Sequence, residues 1–151
     1  MTAKRKAYIV FSWTAVAFCM GFIFCMSSQA AEESQAMSDS LLQKIVGLLG
    51  IEISGGFLRK FAHFSEFAGL ALCLCNALYA SFGHRLTPVF ALVGTVIYAI
   101  SDEVHQIFSE GRACQITDVL IDSAGALSGI VIAFLVYKII RRNKNGSTET
   151  V

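Results

Sequence analysis

The sequence predicts an all-α, polytopic membrane protein: a four-helix transmembrane bundle with a short extracytoplasmic surface helix. Three observations carry this reading. The 151-residue chain is 55% hydrophobic and only 15% charged, whereas soluble domains carry roughly 25% charged residues, and its mean hydropathy is +0.62. Four apolar runs each reach the ~20 residues that a helix needs to cross a hydrocarbon core of about 30 Å. Lysines and arginines gather at alternate ends of those runs, as membrane orientation requires.

The first span, 7–26, is uncharged and follows Lys4, Arg5 and Lys6. Ser28-Gln29-Ala30 has the look of a signal cleavage site, but the run exceeds the about 7–15 apolar residues of a signal peptide. It is therefore read as a retained anchor. A long connection, 27–60, follows. Within 41–53, Leu42, Ile45, Val46 and Leu49 recur on one helical face, with Ser38 or Asp39 as its cap. This is expected to be a short helix on the membrane surface; a lid over a site is the functional alternative.

The second span, 61–82, carries His63 and Glu66 near its start. The third, 86–108, has the sole proline, Pro88, in its first turn, where a missing N–H is harmless. It is uncharged until Asp102, Glu103 and His105 near its end. The fourth, 117–137, carries Asp118 and Asp122 near its start, and a basic tail, 138–151, follows. His84 and Arg85 are read as a turn between the second and third spans. Glu32, Glu33, Asp39, Glu52 and Glu110 are read as solvated. Trp13 and the phenylalanines are read as lipid-facing and packing residues.

Charge sets the direction. The side holding both ends of the chain collects Lys4, Arg5, Lys6, Arg85, Lys138, Arg141, Arg142 and Lys144 against Glu149, a net +7. The other side sums to −6, and together they recover the formal +1. The basic side is expected to be cytoplasmic. A net charge of +1 does not suit a nucleic-acid binder, and an apolar, nearly neutral chain is not disordered. The five cysteines are odd in number, and Cys19, Cys25, Cys73 and Cys75 lie inside apolar runs, unlike a secreted disulfide scaffold. A Cys25–Cys114 disulfide would need an oxidising compartment; free thiols are the default expectation.

The ionisable residues within the spans are not scattered. With this topology Arg59, Lys60, His63, Glu66, Asp102, Glu103, His105, Gln106, Arg112, Asp118 and Asp122 all fall at the outer leaflet or its border. Arg59, His63 and Glu66 form one helical stripe; Tyr98, Asp102, His105 and Gln106 form a second; Asp118, Asp122, Gly125 and Gly129 form a third. The third includes a G-x-x-x-G, which lets membrane helices approach closely. Within or between chains, that approach would turn both aspartates toward a helix rather than toward lipid.

Such a cluster suits several chemistries. Carboxylates and histidines perform general acid–base work when their environment tunes them. They also bind divalent cations, although no H-E-x-x-H or C-x-x-C is present. Arg59, Lys60 and Arg112 suit phosphate or carboxylate groups. The competing reading is structural: Arg59 or Lys60 with Glu66, and Arg112 with Asp118 or Asp122, neutralise one another between helices. A proton or ion relay is a third reading, weakened because the cytoplasmic halves of the spans are almost free of polar residues.

Three blocks in order resemble the VanZ-like family of small bacterial membrane proteins. They are Arg59-Lys60-x-x-His63-Phe64-x-Glu66-Phe67, then Tyr98-Ala99-Ile100-Ser101-Asp102-Glu103-x-His105-Gln106-x-Phe108, then Gly111-Arg112 with Asp118-x-x-x-Asp122-x-x-Gly125. Met26-Ser27-Ser28-Gln29 also fits; Ser27, Ser28 and Gln29 end the first span, either lending polar partners to the site or simply marking its exit at the interface. Phe67 stands where a tyrosine is common. The resemblance implies a multi-pass membrane protein without an assigned reaction, named for a member linked to teicoplanin resistance. That phenotype concerns wall precursors outside the cytoplasmic membrane, the side to which charge counting assigns the cluster. The implied ligand is a lipid-linked envelope precursor or a glycopeptide. In that reading Arg59, Lys60 and Arg112 hold anionic groups. His63, Glu66, Asp102, Glu103 and His105 supply proton transfer or metal ligation. Asp118 and Asp122 orient the basic residues or complete a metal site, and Gln106 joins the binding residues. A phosphotransbutyrylase label attached to some relatives finds no support here: there is no phosphate-cradling glycine loop and no evident nucleophile beside a base.

Overall fold

The computed structural model describes residues 1–29, 31–49, 54–83, 85–111 and 114–146. Arg112, His84 and Glu149 lie outside the described residues, as does 50–53 at the end of the expected surface helix. Five helices follow in order: α1 (Ala3–Ser27), α2 (Ala31–Leu49), α3 (Gly55–Phe82), α4 (Thr87–Gln106) and α5 (Ile116–Gly146). α1, α3, α4 and the Ile116–Ile140 part of α5 are long and apolar enough to cross a membrane.

The boundaries follow local chemistry. α3 begins well before Phe61 because Ser54 caps it, its hydroxyl accepting the Phe57 N–H at 3.2 Å. It ends at Gly83, which takes the left-handed conformation (φ 60°) and donates its N–H to Tyr79 at 2.9 Å. Pro88 stands in the first turn of α4, as expected. α5 continues past the apolar run, so that Lys138 and Arg142 extend a helix rather than a loose tail.

The surface helix needs correcting. α2 begins at Ala31 rather than near residue 41, and neither Ser38 nor Asp39 caps it. Ser38 sits inside the helix and donates to the Ser34 carbonyl at 2.9 Å, while Asp39 accepts from Gln35 at 2.9 Å. The polar first half is helical because Glu32 and Glu33 stand in the first turn, where carboxylates oppose the helix dipole. α2 leans on α3, and bare Gly55 makes room there: a Cβ at Gly55 would lie 2.8 Å from Asp39 Oδ1 and Gln35 Nε2.

α3 is the hub, packed against each of the other four helices, and its broadest contact is with α5. Two glycines explain that contact. A Cβ on Gly125 would collide with the carbonyl oxygen of Phe64, and one on Gly129 with that of Ala68. The G-x-x-x-G therefore works within this chain, letting two backbones touch. Phe67, Leu70 and Ala77 of α3, Val16 and Ile23 of α1 and Ala99 of α4 fill the main core. The interior is rich in alanine, while Phe11, Phe18, Phe90 and Phe134 point outward, as expected of helices whose solvent is lipid. The five cysteines are free.

The end of the bundle formed by the start of α1 and the ends of α3 and α5 holds a polar node that the sequence reading undervalued. Asn76 Oδ1 accepts from Tyr8 at 2.8 Å and from Tyr137 at 3.2 Å, and Asn76 Nδ2 donates to Ser12 at 3.1 Å. Trp13 is no mere lipid-facing residue there: its indole N–H donates to Ser81 at 3.1 Å. These groups are uncharged, so they tie α1, α3 and α5 together without the cost of burying an ion.

Candidate functional site: a buried acidic cluster at one end of the bundle

The opposite end is formed by the last turns of α1 and α4 and the first turns of α3 and α5. Chain direction alone brings these four helix ends to one level. Three carboxylates are buried there: Asp122 at 0% exposure, Glu103 at 1% and Asp102 at 3%. A buried carboxylate is costly unless it finds donors, and the three are treated differently.

Asp102 is well supplied. Ser27 of α1 donates to its Oδ2 at 2.7 Å, and Gln106, one turn further along α4, donates to the same oxygen at 3.2 Å. Gln106 also reaches the Ser27 hydroxyl at 3.4 Å. Ser27, Asp102 and Gln106 thus form a closed knot between α1 and α4, and the Gln106 amide nitrogen is engaged within it. Tyr98, one turn earlier, strengthens the same seam by donating to the Met20 carbonyl at 2.6 Å. Glu103 accepts the backbone N–H of Gln115 at 2.8 Å, fixing the chain just before α5.

Asp122 has no such help. Among the described residues, neither of its oxygens has a hydrogen-bond partner. His63 of α3 pairs with it, Nδ1 lying 3.8 Å from Oδ1 with the imidazole 17% exposed. Asp102, Glu103, Asp118 and Glu66 all lie close enough to repel its charge. The α3, α4 and α5 stripes therefore converge, and Asp122 stands where they meet. It faces α3 because Gly125, one turn on, is pressed against the Phe64 backbone.

The remaining predicted residues border this centre. Arg59 and Glu66 are half-buried on the His63 stripe, and Lys60 is exposed. Asp118 is half-buried in the first turn of α5, where Thr117 donates to it at 3.4 Å. His105 lies half-buried at the rim, its ring stacked on Phe24 with centroids 4.3 Å apart. Its Nε2 is 3.1 Å from the hydroxyl of Ser28. Among the described residues no three His, Cys, Asp or Glu side chains converge closely enough to hold a metal ion. An apolar groove of about 600 Å³, lined by Leu74, Leu78, Phe82, Leu86, Thr87, Phe90 and Gly94, lies toward the other end and takes no part in the cluster.

The sequence model of the VanZ/LLP1 family matches residues 11–137. The chain belongs to the VanZ/LLP1 family. Nothing among the curated proteins or the solved structures matches it. The VanZ/LLP1 match spans every cluster residue from Ser27 to Asp122. Two partners of this VanZ/LLP1 cluster were not legible as such in sequence. Ser27 looked equally like the plain exit of a span, and only its 2.7 Å bond to Asp102, 75 residues away, reveals its role. The Gln115 N–H bears on Glu103 through the backbone, which no side-chain pattern announces.

Proposed function

We propose that this VanZ/LLP1 protein recognises or modifies a cell-envelope component, a lipid-linked wall precursor or a glycopeptide, at the extracytoplasmic face of the bacterial cytoplasmic membrane. Both termini are then cytoplasmic. The observation that carries the reading is Asp122: a fully buried carboxylate that no described residue hydrogen-bonds, set against His63 and surrounded by further acids. Ionisable groups placed so expensively inside a membrane bundle usually serve a function. Arg59, Lys60 and Arg112 bind anionic groups of the ligand. His63, Glu66 and His105 handle protons, while Asp102, Glu103, Gln106 and Asp118 shape the site around Asp122.

A second reading is favoured by the Ser27–Asp102–Gln106 knot, in which three side chains are bonded to one another. In that reading the cluster binds no ligand and locks the helices together.

Two experiments separate the possibilities. A reporter fused after Arg142 should register cytoplasm and one inserted at Gln35 should register the outside; the reverse would overturn the proposed sidedness. In cells producing the protein, teicoplanin tolerance should rise and should be lost in Asp102→Asn at unchanged membrane abundance. Tolerance retained by that variant would overturn the functional reading. Loss of the protein from the membrane would favour the structural one.

A further inference from the structure

We propose that Ser28 and His105 form a nucleophile–base pair that cleaves an acyl ester carried by a lipid. The proposal deepens the reading of this end of the bundle as the working end, and rests on it for the side of the membrane it faces.

The two residues are 77 positions apart and no local motif joins them, so the sequence showed no nucleophile beside a base; the fold supplies one. The fold brings them together because α1 ends where α4 ends. The Ser28 hydroxyl lies 3.1 Å from His105 Nε2, the reach over which a base takes a proton from a nucleophile. The pair is held from both sides. Stacking on Phe24 fixes the plane of the imidazole. Ser28 is the C-cap of α1, with its backbone N–H bonded back to Phe24 and Met26. Its neighbour Ser27 is pinned by Asp102 at 2.7 Å, so the turn that presents Ser28 cannot drift.

The two adjacent serines have different environments. Ser27 is buried and its hydroxyl hydrogen is engaged by a carboxylate. Ser28 is exposed. Its single hydrogen goes either to the Phe24 carbonyl, 2.6 Å away, or to Nε2. Rotation about one side-chain bond switches between them. Pointed at Nε2, with that nitrogen unprotonated, the hydroxyl is set for attack.

The surroundings select the substrate class. Ser28 sits at the end of a membrane-spanning helix, and Phe24, Val104, Ile107 and Phe108 nearby are all exposed and apolar. A substrate reaches the hydroxyl along a hydrocarbon-compatible surface, which suits a lipid ester better than a water-borne one. In the first step Ser28 Oγ bonds to the acyl carbon and the ester C–O bond breaks. The proton passes from Oγ to Nε2 and on to the departing alkoxide. Water then attacks the acyl-serine, His105 takes its proton, and that proton returns to Oγ. One ester and one water give one acid and one alcohol, with no redox change.

An alkyl fluorophosphonate, which traps activated serines, tests the pair directly. Full-length protein in detergent micelles should acquire one adduct, mapped by peptide mass to Ser28. S28A should acquire none. H105Q should label at least ~100-fold more slowly, since general-base assistance contributes about that much. Folded wild-type protein without an adduct at Ser28, or H105Q labelled at the wild-type rate, would overturn the proposal. If either variant fails to elute as a single species, the mapped wild-type adduct alone decides. In intact cells, labelling by a membrane-impermeant probe supports both the pair and the outward-facing site. Labelling only by a permeant probe supports the pair and overturns the outward assignment.

Discussion

Gly125→Val should abolish the folded bundle. A Cβ at this position meets the carbonyl carbon and oxygen of Phe64 rather than the far end of a side chain. A flexible neighbour could swing aside; the backbone of a long helix cannot. Overpacking a core that can still adjust costs about 1–3 kcal/mol, and here the adjustment would mean separating α3 from α5, the broadest helix contact in the protein. The cost should therefore exceed ~3 kcal/mol. Gly129→Val, which meets Ala68 in the same way, should behave alike. Gly21→Val is the control, because a Cβ at Gly21 has nothing within 4 Å. The measurement is the fraction of detergent-extracted protein that elutes as one monodisperse species: near zero for the first two variants and at the wild-type level for the third. A well-behaved Gly125→Val protein would show that α3 and α5 do not cross at this point.

Asp122→Asn should raise the melting temperature while removing function. The side chain keeps its shape and loses its capacity for negative charge, in a place where burial and then Asp102, Glu103, Asp118 and Glu66 oppose that charge and no hydrogen bond from a described residue offsets it. A carboxylate held out of water among other acids costs stability, and an uncharged side chain of the same shape removes that cost. A site that sacrifices stability for function shows this opposition when repaired. The checks are thermal unfolding in detergent and the tolerance assay used for Asp102→Asn. A variant that melts lower and is lost from the membrane would instead make the Asp122–His63 contact a structural bond. A variant that melts higher and keeps full function would remove Asp122 from the working site.

The transmembrane architecture was legible because the bilayer imposes it: twenty apolar residues without a charge have few other fates. The convergence of the stripes was legible for a related reason, since spacing of three and four residues fixes a helix face and alternating direction fixes the level. What escaped the sequence lies where those two rules fall silent. The first half of α2 is polar and has no apolar period, so its helix was missed until Glu32, Glu33 and the Gly55 contact were visible. Ser27 and Ser28 are alike in sequence and opposite in environment, one bonded to a carboxylate and the other to a histidine. Asn76 gave no warning, because one amide in an apolar run becomes a junction only when Tyr8, Ser12 and Tyr137 arrive from other helices.

The contact at Gly125 and Gly129 has a consequence for how this protein can change over time. It acts as a key that sets the rotational phase of α5 against α3. Successive residues of a helix are turned by about 100°, so shifting the glycine pair by one position would swing Asp122 away from His63 and toward lipid. Deleting or inserting a single residue between 122 and 125 would do the same. The two residues without side chains therefore decide where the most deeply buried charge points, and they fix the length of the short stretch of α5 between 122 and 125.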